Sequence, residues 1–103
     1  LESVVARTAA ARQRIYAIVA ANGFEAIPSA TNFVAIDCRQ DGAYALAVLE
    51  GLADRGVFVR KPAAPGLDRC IRVSVGPDEA LDIFAAELPE AVAAAERLMA
   101  KRA

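Results

Sequence analysis

Histidine and tryptophan are both absent from this 103-residue chain. Without histidine the chain lacks the commonest general base near neutral pH and the commonest neutral metal ligand, so no metal site is expected. Cysteine is scarce. Cys38 and Cys70 stand alone, without the paired spacing of a metal cluster. They read as small buried hydrophobes of a reducing compartment, not as a disulfide. No signal peptide is visible, so the expected location is cytoplasmic. No apolar run approaches the roughly 20 residues a membrane helix needs. A net charge of −1 creates no bulk field that would gather nucleic acid or an anionic membrane, so neither is an expected partner. Lysine is almost missing too, with only Lys61 and Lys101.

The composition is 56% hydrophobic and only 6% aromatic. Alanine supplies much of the apolar fraction, which favours helices packed closely on a sheet over a bulky aromatic core. The length suits one domain. The chain opens Leu1-Glu2-Ser3-Val4 without an initiator methionine and is already in a helical pattern. It is therefore expected to be a piece of a longer protein.

Val4, Ala11, Ile15, Ile18 and Val19 recur at helical spacing, and Asn22-Gly23 supplies a left-handed stop. Phe24 to Ile27 and Asn32 to Asp37 read as strands, the first ended by Pro28. Asp41 is a candidate cap for a second helix whose inward face is Ala45, Leu46, Leu49, Leu52 and Ala53, with Gly56 ending it. Val57 to Arg60 and Cys70 to Val75 read as two more strands, joined by a loop containing Pro62, Pro65 and Gly66. Pro77-Asp78-Glu79 opens a last helix with the stripe Leu81, Phe84, Ala85, Leu88, Val92, Ala95 and Met99. Pro89 should kink or break it. The alanines at 91, 94 and 95 suggest close helix packing.

The order α-β-β-α-β-β-α predicts an α/β two-layer sandwich: a small, mainly antiparallel or mixed four-stranded sheet with helices on one face. Ile71, Val73, Val75, Leu46, Leu49, Leu81 and Phe84 should be buried together. Strand alternation then turns Arg72 and Ser74 away from the helices, and Arg60 opposes Val57 and Val59. A sheet face carrying Arg60, Arg72, Ser74 and Asn32 is too polar for a core and suits a ligand or another domain. Arginine is rarely buried without a partner. Two arginines at strand ends joined by one loop point to a carboxylate or phosphate. The alternative is a structural Arg72 paired with Asp37 or Glu50, and a solvated Arg60.

Three runs in order carry a family resemblance: Pro28-Ser29-Ala30-Thr31-Asn32-Phe33-Val34, Gly56-Val57-Phe58-Val59-Arg60 and Gly66-Leu67-Asp68-Arg69-Cys70-Ile71-Arg72-Val73-Ser74-Val75-Gly76. Together they resemble the carboxy-terminal small domain of fold-type I, class I/II aminotransferases, which use pyridoxal phosphate. Within that group the chain is most similar to histidinol-phosphate aminotransferases. The resemblance implies that Arg72 binds the substrate carboxylate, that Arg60 reaches the substrate's anionic end, and that Asn32 lies near the active site. It also implies an amino-acid or amino-phosphate substrate, a 2-oxo acid acceptor, the chain's own large domain as partner, and a homodimer when full length.

The resemblance further implies that the Schiff-base lysine, the aspartate at the pyridine nitrogen and the phosphate cup lie in the large domain. Residues 1–103 would then be the small domain alone, with no catalytic or cofactor-binding residue, and inactive by themselves. Lys61 falls in a loop and Lys101 at a terminus, which suits neither for that chemistry. The competing readings are a stand-alone amino-acid-sensing regulatory module and a domain that dimerises through the arginine-bearing face.

Overall fold

The first helix, α1 (Glu2–Ala21), turns Ala11, Ile15 and Val19 inward, as the helical spacing predicts. It ends in a Schellman arrangement: Gly23 adopts φ +79°, its N–H donates to the Ala20 carbonyl at 3.1 Å, and the Phe24 N–H donates to the Val19 carbonyl at 2.9 Å. Only a residue tolerant of positive φ can make that reversal cheaply. The computed structural model describes residues 2–27, 33–62 and 66–102, with side chains from residue 9 onward. Val4's side chain and Asn32 thus lie outside the described residues.

Three short strands follow, β1 (Glu25–Ile27), β2 (Phe33–Asp37) and, after the second helix, β3 (Cys70–Ser74). They form an antiparallel sheet in the order β1-β2-β3. Register follows the alternation of each strand. Val34 opposes Val73 and Ile36 opposes Ile71, and all four are at most 6% exposed on the face that the helices cover. Ala35 opposes Arg72 and Phe33 opposes Ser74 on the other face.

The expected fourth strand does not form among the described residues. Residues 57–60 make a single bridge to β3, between Arg60 and Arg72. Before that bridge Val57, Phe58 and Val59 line a hollow of about 220 Å³ together with Val73, Ser74, Leu81 and Phe84. Among the described residues the sheet therefore has three strands and one further bridge.

Helix α2 (Gly42–Asp54) starts where Asp41 caps it, its carboxylate accepting from the Tyr44 N–H at 2.9 Å. It ends in a second Schellman turn at Gly56, φ +81°, with Val57 N–H donating to the Leu52 carbonyl at 2.9 Å. Its inward face differs in part from the predicted one. Ala45 and Leu52 are buried, but Leu46 is 46% exposed and Leu49 and Ala53 are half-buried. Tyr44, Ala47, Val48 and Gly51 take the inward positions instead. Two contacts set this rotation. Tyr44 meets Phe24 edge-to-face at 6.2 Å, and Gly51 lies so close to α3 that a Cβ there would sit 3.3 Å from the Ala91 Cβ.

Helix α3 (Asp78–Arg102) buries Leu81, Phe84, Leu88, Ala91 and Ala95 against α1, α2 and the sheet. Of the alanines expected to pack closely, 91 and 95 are buried and 94 is half-buried. Of the kink or break expected at Pro89, the break does not occur, and the helix runs through it. Pro89 is exposed and cannot donate to the Ala85 carbonyl, while Leu88 and Ala91 beside it hold the inward face. Val75, just past the end of β3, is half-buried where full burial is expected. Among the described residues no helix is long and apolar enough to cross a membrane.

Candidate functional site

The open face of the sheet is organised in rows across the strands. One row runs Ile27, Ala35, Arg72, Arg60, each residue the cross-strand partner of the next. Its two ends differ: Ile27 and Ala35 are apolar, Arg72 and Arg60 cationic. Arg60 and Arg72 are a reciprocal pair. The Arg60 N–H donates to the Arg72 carbonyl at 3.1 Å, and the Arg72 N–H donates back to the Arg60 carbonyl at 2.6 Å. Residues paired this way project their side chains to the same side, with Cβ atoms about 5 Å apart.

Two cationic side chains therefore leave the backbone side by side, and like charges opposite each other on a ladder repel. Among the described residues neither arginine forms an ion pair. The acids of the same face are engaged elsewhere. Asp37 accepts from Arg69 at 2.7 Å, and Glu25 faces Arg39 at 3.7 Å. Arg72 is thus not the structural partner of Asp37. Glu50, the other candidate, lies exposed on α2 with no such pair described. Arg72 is half-buried, and its guanidinium carbon lies over the Phe33 ring, 4.7 Å from the centroid. Arg60 is exposed.

Of the three residues singled out in the sequence, two are brought together and Asn32 lies outside the described residues. Phe33 was not singled out. Its position on the arginine side of β2 follows from alternation, but its contact with Arg72 needs the register.

The arrangement can bind an anion, since each guanidinium offers a planar fork of N–H donors suited to carboxylate or phosphate oxygens. It offers little for bond-making. The Lys61 amine donates to the Asp68 carbonyl in its own loop, and Lys101 is exposed in the last turn of α3. Burial pushes the Cys38 thiol up to about 12, with Cys70 and Asp37 adding to the rise. Cys70, also raised chiefly by burial, is 2% exposed. A thiol raised this far is a poor nucleophile at neutral pH. Neither lysine is placed to hold an aldehyde cofactor, so these residues do not fit pyridoxal phosphate by themselves.

Residues 1–88 match the family model for aminotransferase class I and II. The chain is 42% identical over 90 residues to a histidinol-phosphate aminotransferase of Roseiflexus castenholzii, covering 85% of this chain and 24% of that protein. It is 40% identical over 85 residues to a histidinol-phosphate aminotransferase of Burkholderia mallei, covering 82% of this chain and 23% of the relative. Among solved structures, histidinol-phosphate aminotransferase from Sinorhizobium meliloti, in complex with pyridoxal-5'-phosphate, superposes with a TM-score of 0.84 at 46% identity. That match covers 89% of this chain and 25% of the other. The chain spans about a quarter of the length of the curated relatives it matches.

Proposed function

This chain belongs to the aminotransferase class I and II family, and we propose that it is the carboxy-terminal small domain of a pyridoxal-phosphate-dependent aminotransferase. The reaction is transfer of an amino group between an amino acid, or an amine resembling histidinol phosphate, and a 2-oxo acid. Residues 1–103 supply the anion-binding part of the substrate site. The cofactor, which provides the electron sink for amino transfer, is held by the large domain of the same protein. The intact enzyme works in the cytoplasm as a homodimer, and the domain alone is inactive.

The observation that carries this reading is the Arg60–Arg72 pair, two guanidiniums on one open sheet face with no described carboxylate against them. A substrate carboxylate or phosphate relieves their repulsion and is gripped through two parallel charge-assisted bonds. The fork also sets the angle at which the substrate approaches, which a point charge does not. In this reading Asn32 is the third residue of the substrate site. Chemistry is not performed by these side chains. They bind and orient while the reacting groups lie elsewhere.

The test is Arg72→Lys in the intact protein. Charge is kept and the fork is lost. A charge-assisted bond contributes about 1.5–3 kcal/mol, so kcat/KM should fall on the order of tenfold to a hundredfold. Thermal stability should stay near wild type. A clear fall in Tm with unchanged kcat/KM would mean that Arg72 is structural and end the substrate-binding reading.

A further inference from the structure

We propose that Phe33 is a positioning residue for Arg72, a stacking platform that holds the guanidinium ready for the anion. The proposal rests on the reading of Arg72 as an anion holder and adds the residue that orients it. Phe33 is 36% exposed and takes no part in the hydrophobic core, although its neighbour Val34 is fully buried there. Among its contacts is Arg72, whose guanidinium carbon lies 4.7 Å from the ring centroid. Phe33 opposes Ser74 and Arg72 opposes Ala35, so the two are diagonal neighbours across the β2–β3 ladder. Long side chains can span that diagonal.

The chemistry of the contact suits this role. A cation over a ring face is attracted to the π cloud and uses none of its N–H donors for the purpose. The stack itself therefore consumes none of the five donors of Arg72. An ion pair to a protein carboxylate would hold the side chain equally well but would occupy that fork. Arginine otherwise has four side-chain torsions to freeze on binding, and a stack freezes part of them beforehand. Asp37 and Glu25, the acids of this face, are kept on Arg69 and Arg39. Arg72 is thus restrained without being neutralised.

The experiment titrates inorganic phosphate calorimetrically into the intact holoenzyme and completes a double-mutant cycle. Phe33→Leu should weaken phosphate binding about two- to fivefold, the range of an exposed cation–π contact. Phe33→Tyr, which keeps the ring face, should restore the wild-type Kd. In an Arg72→Ala background Phe33→Leu should change nothing further, since its effect passes through the guanidinium. Tm should be the same in all these variants, which separates positioning from a general loss of structure. A Phe33→Leu loss that persists undiminished without Arg72 would overturn the proposal, as would Arg72→Ala weakening phosphate while Phe33→Leu does not. Phosphate binding that is absent in wild type, or indifferent to Arg72→Ala, would overturn the anion reading itself.

Discussion

The two faces of one sheet are separated by a single step along the chain, and they obey opposite rules. Ile71 is fully buried against Ile36 and the helices, while Arg72, the next residue, stands among Phe33, Ala35 and Arg60. On the covered face the described polar side chains are few and the apolar ones interlock. On the open face two cations have no ion-paired acid among the described residues. The first face carries the core, and the second carries the proposed anion site. The strand's period of two keeps them from mixing.

The largest effect should come from breaking that contrast at adjacent positions. Ile71→Ala removes a fully buried side chain and should cost about 2–5 kcal/mol of stability, read by urea denaturation. Arg72→Lys, one residue on, should leave the urea midpoint near wild type. Equal losses at both positions would mean that the two faces are not energetically distinct.

A second break lies between the helices. The Gly51 backbone approaches Ala91 closely enough that a Cβ would sit 3.3 Å from the alanine's Cβ and 3.5 Å from its carbonyl oxygen. Gly51→Val adds two further carbons and should destabilise by roughly 1–3 kcal/mol through overpacking. The arginine face lies across the sheet from this contact, so anion binding by folded protein should be unchanged. A binding defect without a stability defect would show coupling through the sheet.

Much of this contrast was legible in the sequence. The alternation of Ile71, Arg72 and Val73 was enough to place Arg72 away from the helices, and Gly23, Asp41 and Gly56 marked helix ends by chemistry that acts within a few residues. Longer-range facts were less accessible. The α2 face was misjudged at Leu46 because hydrophobicity alone favours leucine over Ala47 and Gly51. Small residues were chosen there by the approach of Ala91, some forty positions away. The fourth strand is expected from the strand-forming run Val57-Phe58-Val59, but pairing also needs proximity, and among the described residues the segment bridges to β3 only at Arg60. Arg69, not Arg72, takes Asp37, a choice between two arginines that only the fold makes.

The covered face also predicts a pH dependence. Burial raises the Cys38 thiol from 9.0 to about 12, and Tyr44 from 10.0 to about 12 with burial again the larger cause and Glu96 adding to it. For an acid whose folded pKa is raised, the stabilisation is fully present below the unfolded pKa and is lost as pH climbs toward the folded value. Stability should therefore fall above pH 9, by on the order of 1 kcal/mol between pH 9 and 10 for the thiol. Cys38→Ala should flatten that first stretch of the decline, and Tyr44→Phe the stretch beginning near pH 10. A decline identical in both variants would assign it to other groups.

The smallest effect should come from Asp37→Asn, and its sign makes it informative. Asp37 lies on the arginine face, yet its carboxylate is bound to Arg69 at 2.7 Å, with a second acceptance from the Arg39 N–H at 2.8 Å. Asparagine keeps an oxygen for the Arg39 N–H and removes only the charge. Since Arg69 is more than half exposed, the pair should contribute about 0.2–1 kcal/mol at most. If Asp37 restrained Arg72, its neutralisation would loosen the anion site and weaken phosphate binding. If Arg72 is held by Phe33, removing a negative charge from the face makes the local potential more positive. Phosphate should then bind as tightly or slightly more tightly at low ionic strength, and the difference should vanish as salt shortens the screening length to about 10 Å or less. A weakened Kd that persists at high salt would return Asp37 to the site as a direct partner of Arg72.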